Sequence, residues 1–123
     1  MPTKEQLRAE YVLKKIDTMY TKGVDEENVN FITGAPTLIL TNGIGQSIAF
    51  LLAKAERDNK QEKVFMIIKE WLENEIPGLQ GCADNMQFLQ HFSQLSMSDY
   101  LRAQDEALRM LAWLKRYARA FGR

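Results

Sequence analysis

Apolar residues recur three and four positions apart along almost the whole chain, the spacing that places them on one face of an α-helix. The longest such stretch runs from about 97 to 121, and Ser96 followed by Asp99 has the spacing of a helix capping box. At 1.5 Å per residue, this helix is about 37 Å long. Its core-facing side chains are expected to be Tyr100, Ala107, Met110, Leu114, Tyr117 and Phe121.

The same spacing predicts further helices before this one. They are expected at about 3–21, 25–33, 36–55, 60–75 and 86–95. The break between the second and third is expected at Gly34 to Pro36, and a turn or kink at Asn42 and Gly43. Residues 37–41 also fit a buried strand, but no second strand candidate could pair with them. The sequence predicts an all-α fold, a compact bundle of about six helices with a long C-terminal helix.

A length of 123 residues and a mass of 14.2 kDa suit one domain, residues 1–123. The longest apolar runs, such as Phe65 to Ile68, are far shorter than a membrane span, and the N-terminus lacks the apolar region of an export signal. We therefore expect no membrane association and a cytoplasmic protein. A single Cys82 excludes an internal disulfide, and with a single His91 it cannot form the usual Cys and His zinc site.

Charge is balanced overall but unevenly distributed. Sixteen Lys and Arg face sixteen Asp and Glu, which excludes binding to nucleic acid through bulk charge. Residues 61–99 hold two basic and six acidic side chains, whereas residues 100–123 hold six basic and two acidic ones. From Arg109 onward the chain has no acidic residue. Any site for a polyanion must therefore be local.

Basic residues form two stripes on the predicted helices. In the C-terminal helix, the stripe consists of four arginines one heptad apart: Arg102, Arg109, Arg116 and Arg123. Lys115 and Arg119 extend the stripe sideways. In the first helix, Lys4, Arg8, Lys15 and Lys22 share a side. Consecutive positions about 10 Å apart could follow a phosphate backbone without reading bases. The alternative is that these side chains are simply solvated, as is usual on the polar face of a helix.

The sequence offers no constellation typical of catalysis. Gly43 and Gly45 do not extend to a dinucleotide or P-loop motif. His91 lies among aromatic residues without an obvious partner, and Cys82 has no His at a recognised spacing, so we expect a structural imidazole and an inert thiol. Glu70 and Glu73 fit a solvent-exposed face better than an acid/base pair. We expect no enzyme activity, metal, cofactor or small-molecule substrate.

Two segments together resemble the small subunit of the Cmr-type (type III-B) CRISPR effector complexes. Residues 36–54, PTLILTNGIGQSIAFLLAK, look like that family's proline, aliphatic run, Asn-Gly turn and Ala-Phe helix. Residues 100–121, YLRAQDEALRMLAWLKRYARAF, are similar to its C-terminal signature. The departures are Ile44 and Ile48, where Leu is commoner, and Gly34 to Ala35, where charged residues are expected.

The resemblance implies a helical, non-catalytic subunit of a ribonucleoprotein. Copies would stack as a short inner filament beside the backbone subunits and the large subunit, along the duplex of guide RNA and target RNA. Cleavage would belong to other subunits. Lys115 and Arg116 fall inside the second matched segment and Lys54 at the end of the first. The remaining RNA-binding candidates follow from helix geometry alone: Arg8, Lys15, Arg109 and Arg119.

Two other functions remain open from the sequence. One is a free-standing helical adaptor that recognises proteins through its acidic 61–99 region and does not contact RNA. The other is a helix-turn-helix DNA-binding protein centred on Asn42 and Gly43. Its recognition helix, residues 44–54, has no basic residue before Lys54, which disfavours it.

Overall fold

The protein is all-helical in a computed structural model that describes residues 1–123. A 3₁₀ turn, Pro77–Leu79, lies between the third and fourth of its helices. The five α-helices are α1 (Lys4–Met19), α2 (Glu26–Lys54), α3 (Lys60–Glu75), α4 (Asn85–Ser93) and α5 (Met97–Ala120). The predicted all-α class and long C-terminal helix are confirmed. The expected number of about six helices is wrong by one.

The difference arises at Gly34 to Pro36, where the predicted break does not occur and α2 continues through Pro36. Proline has no backbone N–H, so the carbonyl of Ile32 loses its usual partner four residues on. Ile32, Ala35 and Ile39 are nevertheless all buried on one face of α2. Burial of this face against α3 and α5 keeps the helix continuous in spite of the local penalty.

The kink predicted at Asn42 and Gly43 is confirmed. Gly43 has φ +82° and ψ 160°, far from helical values, and the chain turns there before the second half of α2. Side chains of α5 accept hydrogen bonds from the backbone amides that lack a helical partner at this kink. Gln104 Oε1 accepts from the N–H of Ile44 at 2.9 Å, and the Tyr100 hydroxyl oxygen accepts from the N–H of Gly45 at 3.0 Å.

Helix α5 is the centre of the bundle, with α1, α2 and α3 packed around it. Its residues Ala107, Met110 and Leu114 are fully buried, as predicted. Tyr100 and Tyr117 are only partly buried against the core. Phe121 was expected in the core but is 50 % exposed, because it lies after the last turn of α5.

By length and composition alone, α2 is long and apolar enough to cross a membrane. No uninterrupted apolar run in the sequence reveals this property, because Thr, Asn, Gly and Gln interrupt the segment. In the fold, α2 packs one face against α3 and α5, and 33% of its most apolar stretch is buried.

Candidate functional site

Arg8, one of the predicted RNA contacts, lies in the interior between α1 and α5. It is 5 % exposed, and its guanidinium forms a two-pronged ion pair with Glu106, with Nε to Oε1 at 3.1 Å and Nη2 to Oε2 at 2.8 Å. Its Nη1 donates to Glu5 at 2.5 Å. Trp71 Nε1 also donates to Glu106 Oε1, at 3.1 Å. The buried Arg8 guanidinium is thus taken up by two carboxylates of the chain, so Arg8 does not belong to an RNA-contacting surface.

The charges of this network stabilise one another. Hydrogen bonding to Glu106 raises the pKa of Arg8 above its ordinary value, although burial alone would lower it. Burial alone would raise the pKa of Glu106, but the hydrogen bonds from Arg8 and Trp71 and the charge of Arg8 outweigh it and lower that pKa. Both groups therefore stay charged at neutral pH.

Two other basic residues of α1 face carboxylates of α3, and Lys14 pairs with Glu10 on α1 itself. Lys4 pairs with Glu75, and the partly buried Lys15 pairs with Glu70. The stripe predicted on α1 is therefore largely neutralised inside the fold. It does not merge with the stripe on α5 into one basic surface.

Most acidic side chains of the 61–99 region have partners within the chain. Besides Glu70 and Glu75, Glu62 accepts from the backbone N–H of Asp58 at 2.8 Å, and Asp84 caps α4 by accepting from the N–H of Gln87 at 2.9 Å. Four of the six acidic side chains of this region thus have partners within the chain. Less of this region's charge is free for a basic partner than its composition indicates.

The strongest cluster of free cations lies near the C-terminal end of α5. Lys115, Arg116 and Arg119 form no ion pair and line a groove of about 310 Å³. The floor of the groove is apolar and consists of Pro36, Leu108 and Ala112. Arg116 and Arg119 are exposed on the side of α5 away from its buried face, and Lys115 is half-buried beside that face.

The remaining predicted contacts lie elsewhere. Arg109 is exposed but does not line the groove, and its Nε donates to Asp105 at 2.8 Å. Lys54 is exposed at the end of α2 and does not line the groove. Of the seven candidate residues, the structure brings together only Lys115, Arg116 and Arg119. The sequence did not predict that Pro36 lines the groove, because this follows only from the packing of α2 on α5.

Cys82 and His91 are neighbours, which the sequence reasoning missed. The Sγ of Cys82 lies 3.4 Å from Nδ1 of His91, and the turn Pro77–Leu79 and the start of α4 bring them together. Burial, followed by the charge of Glu73, raises the pKa of this thiol. The thiol is thus protonated at neutral pH, unlike a catalytic thiolate. No group of three or more His, Cys, Asp or Glu side chains is placed to hold a metal ion.

Comparison with protein families gives a match over nearly the whole chain. The family model described as CRISPR-associated protein (Cas_Cmr5) matches residues 4–121. The match begins at the first residue of α1 and ends one residue after α5, so it covers all five helices. It also contains both segments that carry the sequence resemblance, residues 36–54 and 100–121.

Proposed function

Because the chain belongs to the Cmr5 family of CRISPR-associated proteins, we propose that it is the small, non-catalytic subunit of a type III-B (Cmr) effector complex that targets RNA in antiviral defence. Membership of this family places its action in a multi-subunit complex. Within that complex, copies of the subunit stack as an inner filament beside the backbone subunits and the large subunit. The complex works in the cytoplasm, and cleavage of RNA belongs to other subunits.

The proposed contact with guide and target RNA is made by Lys115, Arg116 and Arg119. The observation that supports it is that these three cations are free of internal partners and line one groove. Arg and Lys side chains bind phosphate oxygens through charge-assisted hydrogen bonds, which position a protein on the backbone without reading sequence. Lys115 and Arg116 also lie inside the segment that resembles the family signature.

The salt dependence of RNA binding by the assembled complex tests this contact. Each phosphate that a cation neutralises contributes about −0.7 to the slope of log affinity against log salt for single strands. Replacing Arg116 and Arg119 by Ala should flatten the slope by about 1.4 units, and adding Lys115→Ala should bring the change to about two units. The helical circular-dichroism signal should be unchanged, because these side chains face away from the core.

The matched control removes the same charge elsewhere. Lys14 and Arg57 are exposed and lie outside the groove, so the double variant Lys14→Ala/Arg57→Ala should keep the original slope. An unchanged slope in the Arg116→Ala/Arg119→Ala complex would show that these cations are only solvated. An equal change in both double variants would show an effect of overall charge.

A free-standing protein adaptor is the second candidate function. It is favoured by an apolar groove of about 580 Å³ between α2, α4 and the start of α5, which includes Phe92 and the 80 % exposed Met97. Grooves of this kind suit apolar side chains of a partner protein. Purification of the tagged protein from its native host distinguishes the two functions, since only the subunit brings guide RNA and larger Cmr subunits with it.

A further inference from the structure

A second polar site, separate from the groove that holds Lys115, lies just beyond the C-terminal end of α5. It is a cleft of about 200 Å³ where the end of α1, the start of α2 and the residues after α5 meet. Tyr20 and Asn28 line this cleft, together with three cationic side chains and one carboxylate. The charged residues are Lys22, Lys63, Arg123 and Asp25. None of these residues belongs to the surface proposed to contact RNA.

Backbone hydrogen bonds hold the cleft together. The N–H of Val24 donates to the carbonyl of Phe121 at 2.9 Å, and the N–H of Arg123 donates to the carbonyl of Val24 at 3.0 Å. Gly23 has φ +89°, and a Cβ there would lie only 3.1 Å from the Phe121 oxygen. The glycine thus allows the turn after α1 to approach the end of the chain, which brings Arg123 to the cleft.

Two polar atoms of the cleft have no hydrogen-bond partner. Tyr20 is only 6 % exposed, and its hydroxyl is buried without a partner. Oδ1 of Asn28 is buried and unpartnered as well. Leaving a buried polar group unsatisfied is unfavourable, so such groups normally bind water, an ion or a ligand. Burial, and then the charge of Asp25, raises the pKa of Tyr20, so its hydroxyl is a neutral donor at neutral pH.

The charges around these atoms favour an anion. Lys22 and Lys63 form no ion pair, and Lys63 Nζ lies 4.9 Å above the ring of Tyr20. Asp25 is the only lining carboxylate. Its Oδ1 already accepts from the backbone N–H of Asn28 at 2.8 Å, and Arg123 Nη2 lies 3.7 Å from its Oδ2. The positive end of the α2 dipole also lies at this cleft.

We propose that this cleft binds a phosphate group. The Tyr20 hydroxyl and the side chains of Lys22, Lys63 and Arg123 donate to the phosphate oxygens. Asn28 Oδ1 accepts from a protonated phosphate oxygen or from a hydroxyl next to the phosphate. The phosphate is either a free ion or part of RNA, and these two sources share the chemistry that the cleft recognises. Binding here does not depend on the proposed RNA contact of Lys115, Arg116 and Arg119.

Calorimetric titration of the full chain with inorganic phosphate, at constant ionic strength in chloride, tests the site. The wild type should bind phosphate, and the melting temperature should rise with phosphate concentration. Tyr20→Phe should weaken binding by about tenfold or more, because a hydrogen bond to a charged group is lost. In chloride alone its melting temperature should not fall, since the hydroxyl removed had no partner in the fold.

Two further variants make the result specific. Lys63→Met should also weaken phosphate binding, whereas Arg57→Met removes an exposed cation outside the cleft and should leave it unchanged. If the wild type does not bind phosphate, or Tyr20→Phe and Lys63→Met bind as tightly as the wild type, the proposal is wrong.

Competition with RNA then identifies the source of the phosphate. An oligonucleotide that displaces phosphate only when it carries a terminal phosphate indicates an RNA end. Displacement by the dephosphorylated oligonucleotide as well indicates a backbone phosphate, and displacement by neither indicates the free ion. Each comparison is repeated in the Arg116→Ala/Arg119→Ala protein. Loss of the RNA contact in that variant with intact phosphate binding separates the two proposals.

Discussion

The ion pair between Arg8 and Glu106 ties the first helix of the chain to the last. Both side chains are nearly inaccessible to solvent, and Glu106 also accepts a hydrogen bond from Trp71 on α3. A buried pair of this kind has to offset the cost of removing two charges from water, so its main effect is felt when one partner is lost. Three helices depend on this one carboxylate.

Arg8→Met should lower the free energy of unfolding by about 3–5 kcal/mol, because Glu106 is left as a buried, uncompensated charge. The double variant Arg8→Met/Glu106→Leu should recover part of this loss, because no charge stays buried, although Trp71 Nε1 then lacks its acceptor. As a control, Arg109→Met removes an exposed pair with Asp105 and should change stability by less than about 0.5 kcal/mol. Urea denaturation measures all three. Equal losses in Arg8→Met and Arg109→Met would show that the buried pair has no special role.

The same carboxylate predicts an acid dependence of stability. The folded pKa of Glu106 lies below its unfolded value of 4.5. The stabilisation is therefore fully present above pH 4.5 and is lost as the pH falls through the folded pKa. Unfolding measured from neutral to acid pH should show a steeper loss of stability in the wild type than in Arg8→Met/Glu106→Leu. If the stability of both proteins fell equally with pH, Glu106 would not contribute to the acid dependence of stability.

Arg8 also shows where reasoning from the sequence ends at the scale of one residue. Helix projection correctly places Arg8 on the same side as Lys4 and Lys15, but it does not show what faces that side. The partner, Glu106, lies 98 residues away in the chain. Arg119 was predicted on the same grounds as Arg8, and it differs from Arg8 in that it forms no ion pair within the fold.

Among the elements, α2 depends most on its neighbours. Its first half includes a proline, and its second half begins at a glycine with non-helical dihedral angles. Local signals predicted the Ser96 cap of α5 and most helix ends to within a few residues, because capping and periodicity act over a few positions. They failed at Gly34 to Pro36, where burial of Ile32, Ala35 and Ile39 overrides the local preference.

Two glycines of α2 should respond in opposite ways to alanine. Gly43→Ala should destabilise the protein by about 1–3 kcal/mol, because φ +82° with ψ 160° is a conformation that essentially only glycine adopts. Gly34→Ala is the matched control. Gly34 is exposed and helical with nothing near its Cβ position, so alanine should stabilise the protein by about 0.5–1 kcal/mol. Thermal unfolding of both variants checks the pair, and destabilisation by both would contradict this account of the kink.

For the molecule as a whole, the fold converts a neutral composition into a polarised surface. Basic residues of α1 are matched with acidic residues of α1, α3 and α5, whereas the excess of basic residues at the end of α5 has few acidic partners. The family and the fold class were predictable, because the matched segments and helical periodicity lie in the sequence itself. The groove at Pro36 and the cleft at Tyr20 were not, since each is formed by residues from separate helices.

The isolated protein should leave RNA intact. Labelled RNA incubated with the purified protein and divalent metal should remain full length, because we assign cleavage to other subunits. A preparation of the Glu73→Gln variant, purified in the same way, serves as a control for contaminating nucleases. Cleavage that disappears when a particular carboxylate is replaced would contradict the non-catalytic role.

The kink in α2 also makes two backbone amides into reporters of tertiary docking. The N–H groups of Ile44 and Gly45 are hydrogen-bonded to side chains of α5 and not to carbonyls of their own helix. Their exchange with deuterated solvent should therefore follow the separation of α2 from α5, while amides elsewhere in α2 follow the opening of the helix itself. Tyr100→Phe should accelerate exchange at Gly45 alone. The two positions would thus separate undocking from helix unwinding within a single element.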